Sequence, residues 1–344
     1  MRNIVFPAKS AMVLTDRITR KYLTGVDIAE GVLVVCDGMT TLTDARYYSA
    51  AKITLENAGV NAVLYNGLET LKSFLQSKKI KTLLIDFNTT TVKEYNDYLS
   101  LGYLVKDCSK ILNNAIAIKS ESELEKIKKA CKITQKAFHT AIKQVKAGMT
   151  ELELKDIIEN LYYEFGADGI AFETIVAFGS NGAVPHHQTG QTKLAENTCI
   201  LVDMGCSVEG FCSDLTRTVF FGNPSEKFVD CYNAVLNANL LAEQKIQAGI
   251  STKQADAIAR NYLKEKGLDK YFTHSLGHGL GQNIHEYPTL SKKRNDKLEK
   301  GMVFTVEPGV YLDGEFGIRI EDSVLLTENG VERLFDDNKK LMIL

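Results

Sequence analysis

The sequence predicts a two-domain α/β (α+β) protein: a small α/β domain over residues 1–115, then a larger domain over residues 116–344 folded about a pseudo-twofold axis. Three observations carry this prediction. A chain of 344 residues is long for one ordinary domain and suits two. Short apolar runs alternate with helical patterns through the first 115 residues. The stretch KAGMTELELKDIIENLYYEFG, Lys146 to Gly166, is echoed at a constant offset of 101 residues by QAGISTKQADAIARNYLKEKG, Gln247 to Gly267.

In the first domain, AMVL (Ala11 to Leu14) is strand-like and VLVVCDG (32–38) reads as a buried strand. Asp37 and Gly38 are a hairpin signal, so MTTLTDA follows as the paired strand. Residues 45–58 read as a helix, and NAVLY, KTLLIDF and GYLVKD are further strands separated by helical patterns. No catalytic constellation stands in this domain. Leu112 to Lys119 reads as the connection to the second. There Ser120 and Glu123 form a capping box. Leu124, Ile127, Cys131, Thr134, Phe138, Ala141 and Val145 then recur at helical spacing until Gly148 ends the run.

The two halves of the second domain match at their punctuation: Gly148 with Gly249, Thr150 with Ser251, Glu153 with Gln254, Gly166 with Gly267. Each half is a long helix, a glycine stop, a capping box and a second helix. Two helices in register at one offset point to duplication. Each half then continues into a strand pair bearing two acids, Asp203 and Asp214 in the first, Glu307 and Glu321 in the second. A duplicated unit of this kind places four carboxylates near its axis.

Composition excludes several classes of function. Hydrophobic residues at 44% and charged residues at 24% are the balance of a soluble globular chain. A net charge of −2 and a pI near 6.3 leave no dominant basic patch, which speaks against nucleic acid. Apolar runs fall short of the roughly 20 residues a membrane span needs, and the N-terminus lacks a signal-peptide pattern. Cys36, Cys108, Cys131, Cys199, Cys206, Cys212 and Cys231 are odd in number, contain no CxxC and mostly lie in apolar stretches. That argues for a reducing, cytoplasmic compartment and against disulfide or zinc–thiolate frameworks.

The chemistry lies in acids that interrupt apolar strands. ILVDMG (200–205) carries Asp203, and DLTRTVFFG (214–222) opens on Asp214 after a turn containing Gly210. For either aspartate alone, an ion pair with Arg217 is an adequate structural explanation. But MVFTVEPGVYL (302–312) carries Glu307, and GIRIEDSVLL (317–326) carries Glu321 and Asp322. Between the pairs lies HSLGHGLGQNIHEYP (274–288), with three histidines. Arg217 and Arg319 are too few to neutralise these acids, and divalent cations are the economical answer. Four carboxylates with one or two imidazoles favour Mn²⁺, Co²⁺ or Zn²⁺, and acids outnumbering histidines suggest two metals sharing bridging carboxylates.

At this point the chain resembles a known family. VDMGCSVEGFCSDLTRTVF, HSLGHGLGQNIHEYP, VFTVEPGVY and IRIEDSVLL match, in order and spacing, the pita-bread (M24-type) metallopeptidases. These include methionine aminopeptidase, aminopeptidase P and prolidase. The resemblance covers residue 120 to the end. LLIDF, the hairpin at 32–44 and TDARYYSAA resemble the creatinase-like N-terminal domain of the family's Xaa-Pro branch.

The resemblance implies a ligand set of Asp203, Asp214, His278, Glu307 and Glu321 for two divalent metals, manganese first, with Asp214 and Glu321 bridging. It implies substrate-contacting histidines at His186, His285 and His274, proton movements through Glu307, and a supporting role for Arg319. The implied reaction is hydrolysis of the Xaa-Pro bond at the N-terminus of peptides or in Xaa-Pro dipeptides by a metal-bridging hydroxide, in a homodimer. Small peptides with proline second are the implied substrates. The alternatives are another pita-bread aminopeptidase, such as one removing initiator methionine, and a non-catalytic binding module on the same fold. An amidinohydrolase on this fold would not retain the ligands. His187 and His139 read as polar or structural histidines, and strand alternation turns Asp322 away from Glu321 toward a backbone or arginine partner.

Overall fold

The computed structural model describes residues 4–344 and divides the chain into two compact units between Ile116 and Ala117. The first unit holds β1 (Ser10–Leu14), α1 (Arg17–Thr24), β2 (Val32–Cys36), β3 (Gly38–Thr43), α2 (Ala45–Asn57) and β4 (Asn61–Leu64). It continues through α3 (Leu68–Ser77), β5 (Thr82–Ile85), α4 (Val92–Ser100), β6 (Leu104–Asp107) and α5 (Ser109–Ala117), the last crossing the division by one residue. The strands form one mixed sheet in the order β4-β3-β2-β1-β5-β6. Strand alternation divides the apolar side chains between its faces. Met12, Leu14 and Leu33 pack with Leu23, Leu55 and Leu112, while Ala11, Val13 and Val34 pack with Leu71, Leu75 and Tyr98. The expected connection at 112–119 is largely helix: Leu112, with Ile111 beside it, turns one face of α5 into the core.

The second unit opens with α6 (Glu121–Ile142), capped by Ser120 and Glu123, and α7 (Glu151–Glu164). The strands β7 (Gly169–Ile170), β8 (Ile175–Phe178), β9 (Thr198–Met204), β10 (Cys206–Val208), β11 (Phe211–Cys212) and β12 (Leu215–Phe221) follow. Then come α8 (Glu226–Lys245), α9 (Thr252–Glu265), β13 (Gly277–Gly279), β14 (Glu286–Leu290), β15 (Val303–Val306), β16 (Gly309–Leu312), β17 (Phe316–Arg319), β18 (Asp322–Thr327) and β19 (Gly330–Arg333).

The sequence echo is an echo in structure. Thr150 with Glu153, and Ser251 with Gln254, both close capping boxes. Just ahead of each box, Gly148 N–H donates to the carbonyl of Leu194 at 2.8 Å and Gly249 N–H to that of Leu298 at 2.7 Å. Both glycines hold left-handed φ, 81° and 93°, which a side chain resists. Each half then raises its own sheet: β12-β9-β8 in the first, β14-β13-β15-β18-β19 in the second.

Two expected strands are broken. The run 302–312 divides at Glu307 and Pro308 into β15 and β16, and 317–326 divides at Ile320 and Glu321 into β17 and β18. β15 and β18 pair in the five-stranded sheet, whereas β16 and β17 pair only with each other. Pro308 has no N–H to continue a ladder. Both glutamates therefore stand at breaks rather than within strands. The turn at Gly210 is likewise part of a small β10–β11 ribbon linking β9 to β12. All seven cysteines are free, and six are buried. Among the described residues no helix is long and apolar enough to cross a membrane.

Candidate metal centre

Asp203 lies near the end of β9, opposite Thr216 on β12, and Asp214 immediately precedes β12. The second half brings its acids in through backbone bonds. Glu307 N–H donates to the carbonyl of Leu276 at 2.8 Å, and Glu321 N–H to that of Thr216 at 3.1 Å. His278, at the centre of β13, is anchored by its own N–H on Thr305 Oγ1 at 3.1 Å. The Thr305 hydroxyl in turn donates to Glu307 Oε1 at 3.0 Å.

His278 Nε2 lies 3.6 Å from Asp214 Oδ2 and 3.4 Å from Glu307 Oε1. Asp214, His278 and Glu321 each place a donor atom within 4.8 Å of the others. Burial holds His278 below its usual pKa, so the ring is neutral. Its Nδ1 faces the Gly279 carbonyl at 3.1 Å and must donate there, which leaves Nε2 as a lone pair aimed at carboxylate oxygens. Asp203 Oδ1 is buried without a hydrogen-bond partner. Burial, then repulsion from Glu321, Asp203 and Glu307, pushes Asp214 well above the carboxylate range. Burial and Glu307 do the same to Glu321, and burial pushes Glu307 up to about 8. Lone pairs facing lone pairs, an orphaned carboxylate oxygen and acids that resist ionising are the signature of a cluster built around cations. The oxygen-rich set with one imidazole fits divalent metal ions.

Arg319 is the cation beside this cluster. It donates through Nη2 to Asp203 Oδ2 at 2.7 Å, through Nε to Thr216 Oγ1 at 3.1 Å and through Nη1 to Tyr311 Oη at 2.7 Å. The Thr216 hydroxyl passes a hydrogen bond on to Glu321 Oε2 at 2.5 Å. Burial alone would lower Arg319, yet Tyr311, Asp203, Glu321 and Glu307 raise it and keep it charged.

His274 is held neutral, its pKa pushed down to about 3 by burial and then by Arg319. Its Nδ1 donates to the Ser275 carbonyl at 2.8 Å, so Nε2 accepts from the Tyr311 hydroxyl at 2.8 Å. The exposed His285 ring sits 4.2 Å from that of His278. His186 is also exposed, and close enough to His274 and His285 to depress the proton affinity of both.

The structure thus gathers Asp203, Asp214, His278, Glu307, Glu321 and Arg319, with the three further histidines around them. Arg217 serves neither Asp203 nor Asp214: it pairs with Asp322 and Asp337 behind the cluster, at 2.7 Å each. His187 is fastened to Glu151 at 2.9 Å, and His139 stacks edge-on against Phe138 within α6. Thr216, Thr305 and Tyr311 were not singled out from sequence. Thr305 does carry a signal, as the one hydroxyl on the otherwise apolar β15 beside Glu307.

The fold and this cluster define a metal-dependent hydrolase of the pita-bread type. The chain belongs to Metallopeptidase family M24: residues 125–328 match that family, and residues 9–115 match the Creatinase/Prolidase N-terminal domain. It is similar to an uncharacterized peptidase of Staphylococcus aureus strain USA300, 41% identical over 271 residues, covering 78% of this chain and 77% of the relative. Among solved structures it resembles the Xaa-Pro dipeptidase from Bacillus anthracis, with a TM-score of 0.92, 32% identity and coverage of 97% and 95%. It also resembles the X-Pro aminopeptidase from Thermotoga maritima, with a TM-score of 0.87, 31% identity and 97% coverage of each chain.

Proposed function

We propose that this metallopeptidase hydrolyses the Xaa-Pro bond of short peptides with proline in the second position, using two divalent ions held by Asp203, Asp214, His278, Glu307 and Glu321. The observation that carries the reading is the neutral His278, whose Nε2 lone pair is aimed at Asp214 and Glu307. The Xaa-Pro specificity is supported by the dipeptidase and aminopeptidase it resembles over almost their whole length. Asp214 and Glu321 would contribute one carboxylate from each half to that ligand set, and manganese is the proposed metal, with cobalt and zinc as the other fits. Bound ions would supply Lewis acidity and a water acidic enough to be deprotonated near neutral pH.

The chain's own residues do the remainder. Glu307 carries the nucleophile's proton toward the departing proline nitrogen. His186 and His285 flank the substrate carbonyl, and one of them donates a hydrogen bond as that oxygen gains charge. Neutral His274, locked by Tyr311, lines the same side. Arg319 keeps the Asp203 carboxylate in place. We place the domain boundary at 115/116, one residue before the division between the two compact units, and propose a homodimer acting in the cytoplasm, a setting that the seven free thiols support.

The test is hydrolysis of a matched pair, Xaa-Pro and Xaa-Pro-Yaa, by EDTA-stripped protein with and without Mn²⁺, Co²⁺ or Zn²⁺. Metal-dependent cleavage of the dipeptide alone makes it a prolidase, and cleavage of the tripeptide makes it an aminopeptidase P. Cleavage of Met-Xaa peptides instead, or of nothing with any metal, overturns the proposal.

A further inference from the structure

Glu151 is a carboxylate that the reaction above does not use, and it is fully buried. It is the first residue of α7, where an acid ordinarily faces solvent and complements the helix dipole. Here the side chain turns inward and accepts four hydrogen bonds. Oε1 takes the Phe178 N–H and Asn181 Nδ2, both at 2.8 Å. Oε2 takes the Gly190 N–H at 3.0 Å and faces His187 Nε2 at 2.9 Å. With N–H groups already aimed at both oxygens, His187 donates as well.

These donors span the loop 178–190, on which His186 lies. The same loop is held from the other side. Gly182 and Gly317 meet so closely that a Cβ on Gly317 would lie 1.7 Å from the Gly182 carbonyl oxygen. Arg319 Nη1 reaches the Pro185 carbonyl at 3.4 Å. His186, itself exposed, is therefore bracketed by Pro185, tied to the metal-side arginine, and by His187, tied to Glu151.

We propose that Glu151 is a positioning residue: it fixes His186 toward the metal centre by anchoring His187 and both ends of the loop from Phe178 to Gly190. The inference rests on the reading of His186 as a substrate contact. A carboxylate suits the task because it only accepts, and all four of its partners donate. A glutamine would turn an NH₂ group toward one pair of them.

The experiment is a double-mutant cycle on the metal-loaded enzyme, combining Glu151→Gln with His186→Ala and reading kcat and KM on an Xaa-Pro peptide. Glu151→Gln should lower kcat/KM by about 10-fold or more in the parent and have almost no further effect once His186 is alanine. Metal content should stay unchanged throughout. Losses that multiply, or metal lost on Glu151→Gln, overturn the proposal. If Glu151→Gln does not fold, His187→Gln, which leaves the other three donors on Glu151, enters the same cycle. Hydrogen exchange separates this idea from the reading it rests on. Faster exchange of the Phe178 or the Gly190 amide in the variant, whichever faces the new NH₂ group, with β9 unaltered, supports the anchoring even if the parent cleaves no Xaa-Pro peptide. Unaltered exchange at those amides overturns it whatever the substrate.

Discussion

Arg217 and Asp322 face each other at 2.7 Å inside the second domain, and Arg217 also donates to the backbone carbonyl of Glu321 at 2.5 Å. Glu321 and Asp322 are neighbours in sequence but lie on opposite sides of the chain. One faces the metal cluster, while the other accepts from Arg217, Lys339 and Arg333. The pairing holds Asp322 below the carboxylate range against the opposing effect of burial. Removing one member strands buried charge, so Asp322→Asn should destabilise the protein by about 3–5 kcal/mol, read by urea unfolding. It should also weaken metal binding, because the backbone of Glu321 loses its support.

Asp214→Asn separates function from stability. The carboxylate is pushed up by burial and by three neighbouring acids, so folding without metal forces it to take up a proton that asparagine does not need. The metal-free variant should be more stable than the metal-free parent, on the order of 1 kcal/mol, a typical single-substitution effect with its sign reversed. Its bound metal should fall at the same time. Thermal melts of EDTA-treated protein and elemental analysis check the two halves. Lower stability together with unchanged metal would contradict the assignment of Asp214 as a ligand.

The metal-free protein should lose stability as pH rises. Glu307 titrates at about 8 in the folded chain against an ordinary 4.5, so the folded state binds the proton more tightly than the unfolded one. Its contribution is fully present below about 4.5 and is lost as pH climbs through about 8, with Asp214 and Glu321 acting in the same direction. Added metal should displace these protons and flatten the profile. Melting curves of stripped and metal-loaded protein across this range report the sign directly.

Gly277→Ala tests how tightly the strand carrying His278 is seated. A Cβ there would lie 1.9 Å from the Thr305 carbonyl oxygen, and backbone must move to admit it. The expected destabilisation is about 1–3 kcal/mol or more. Metal affinity should fall too, since the Thr305 hydroxyl ties His278 to Glu307. Isothermal titration with Mn²⁺ is the readout.

The residue types of the site and their order along the chain were legible because each is a local anomaly. Asp203, Asp214, Glu307 and Glu321 each interrupt an apolar run and together outnumber the arginines beside them, and the capping boxes at Ser120, Thr150 and Ser251 depend only on residues three apart. The breaks at Glu307–Pro308 and Ile320–Glu321 were not legible. Whether an apolar run stays in one sheet depends on which strand it meets, and β15 meets β18 while β16 meets β17. Arg217, adequate by sequence as a partner for either aspartate taken alone, pairs instead with Asp322 and Asp337, because nearness in sequence says little about side-chain direction across a sheet. Glu151 gave no signal, since an acid after a threonine cap is ordinary helix chemistry.

By itself the sequence determined two α/β units, a duplicated second unit and a set of oxygen and nitrogen donors suited to divalent metals. Those follow from periodicity, capping and the high free energy of an uncompensated buried charge, all of which act locally. Only the tertiary structure decided that the lone pair of His278 faces Asp214 and Glu307, that Arg319 ties Asp203 to Tyr311, and that Glu151 holds the His186 loop. Each of these joins residues far apart in the chain, and their geometry is set by sheet register and close packing rather than by the identity of any neighbour in sequence.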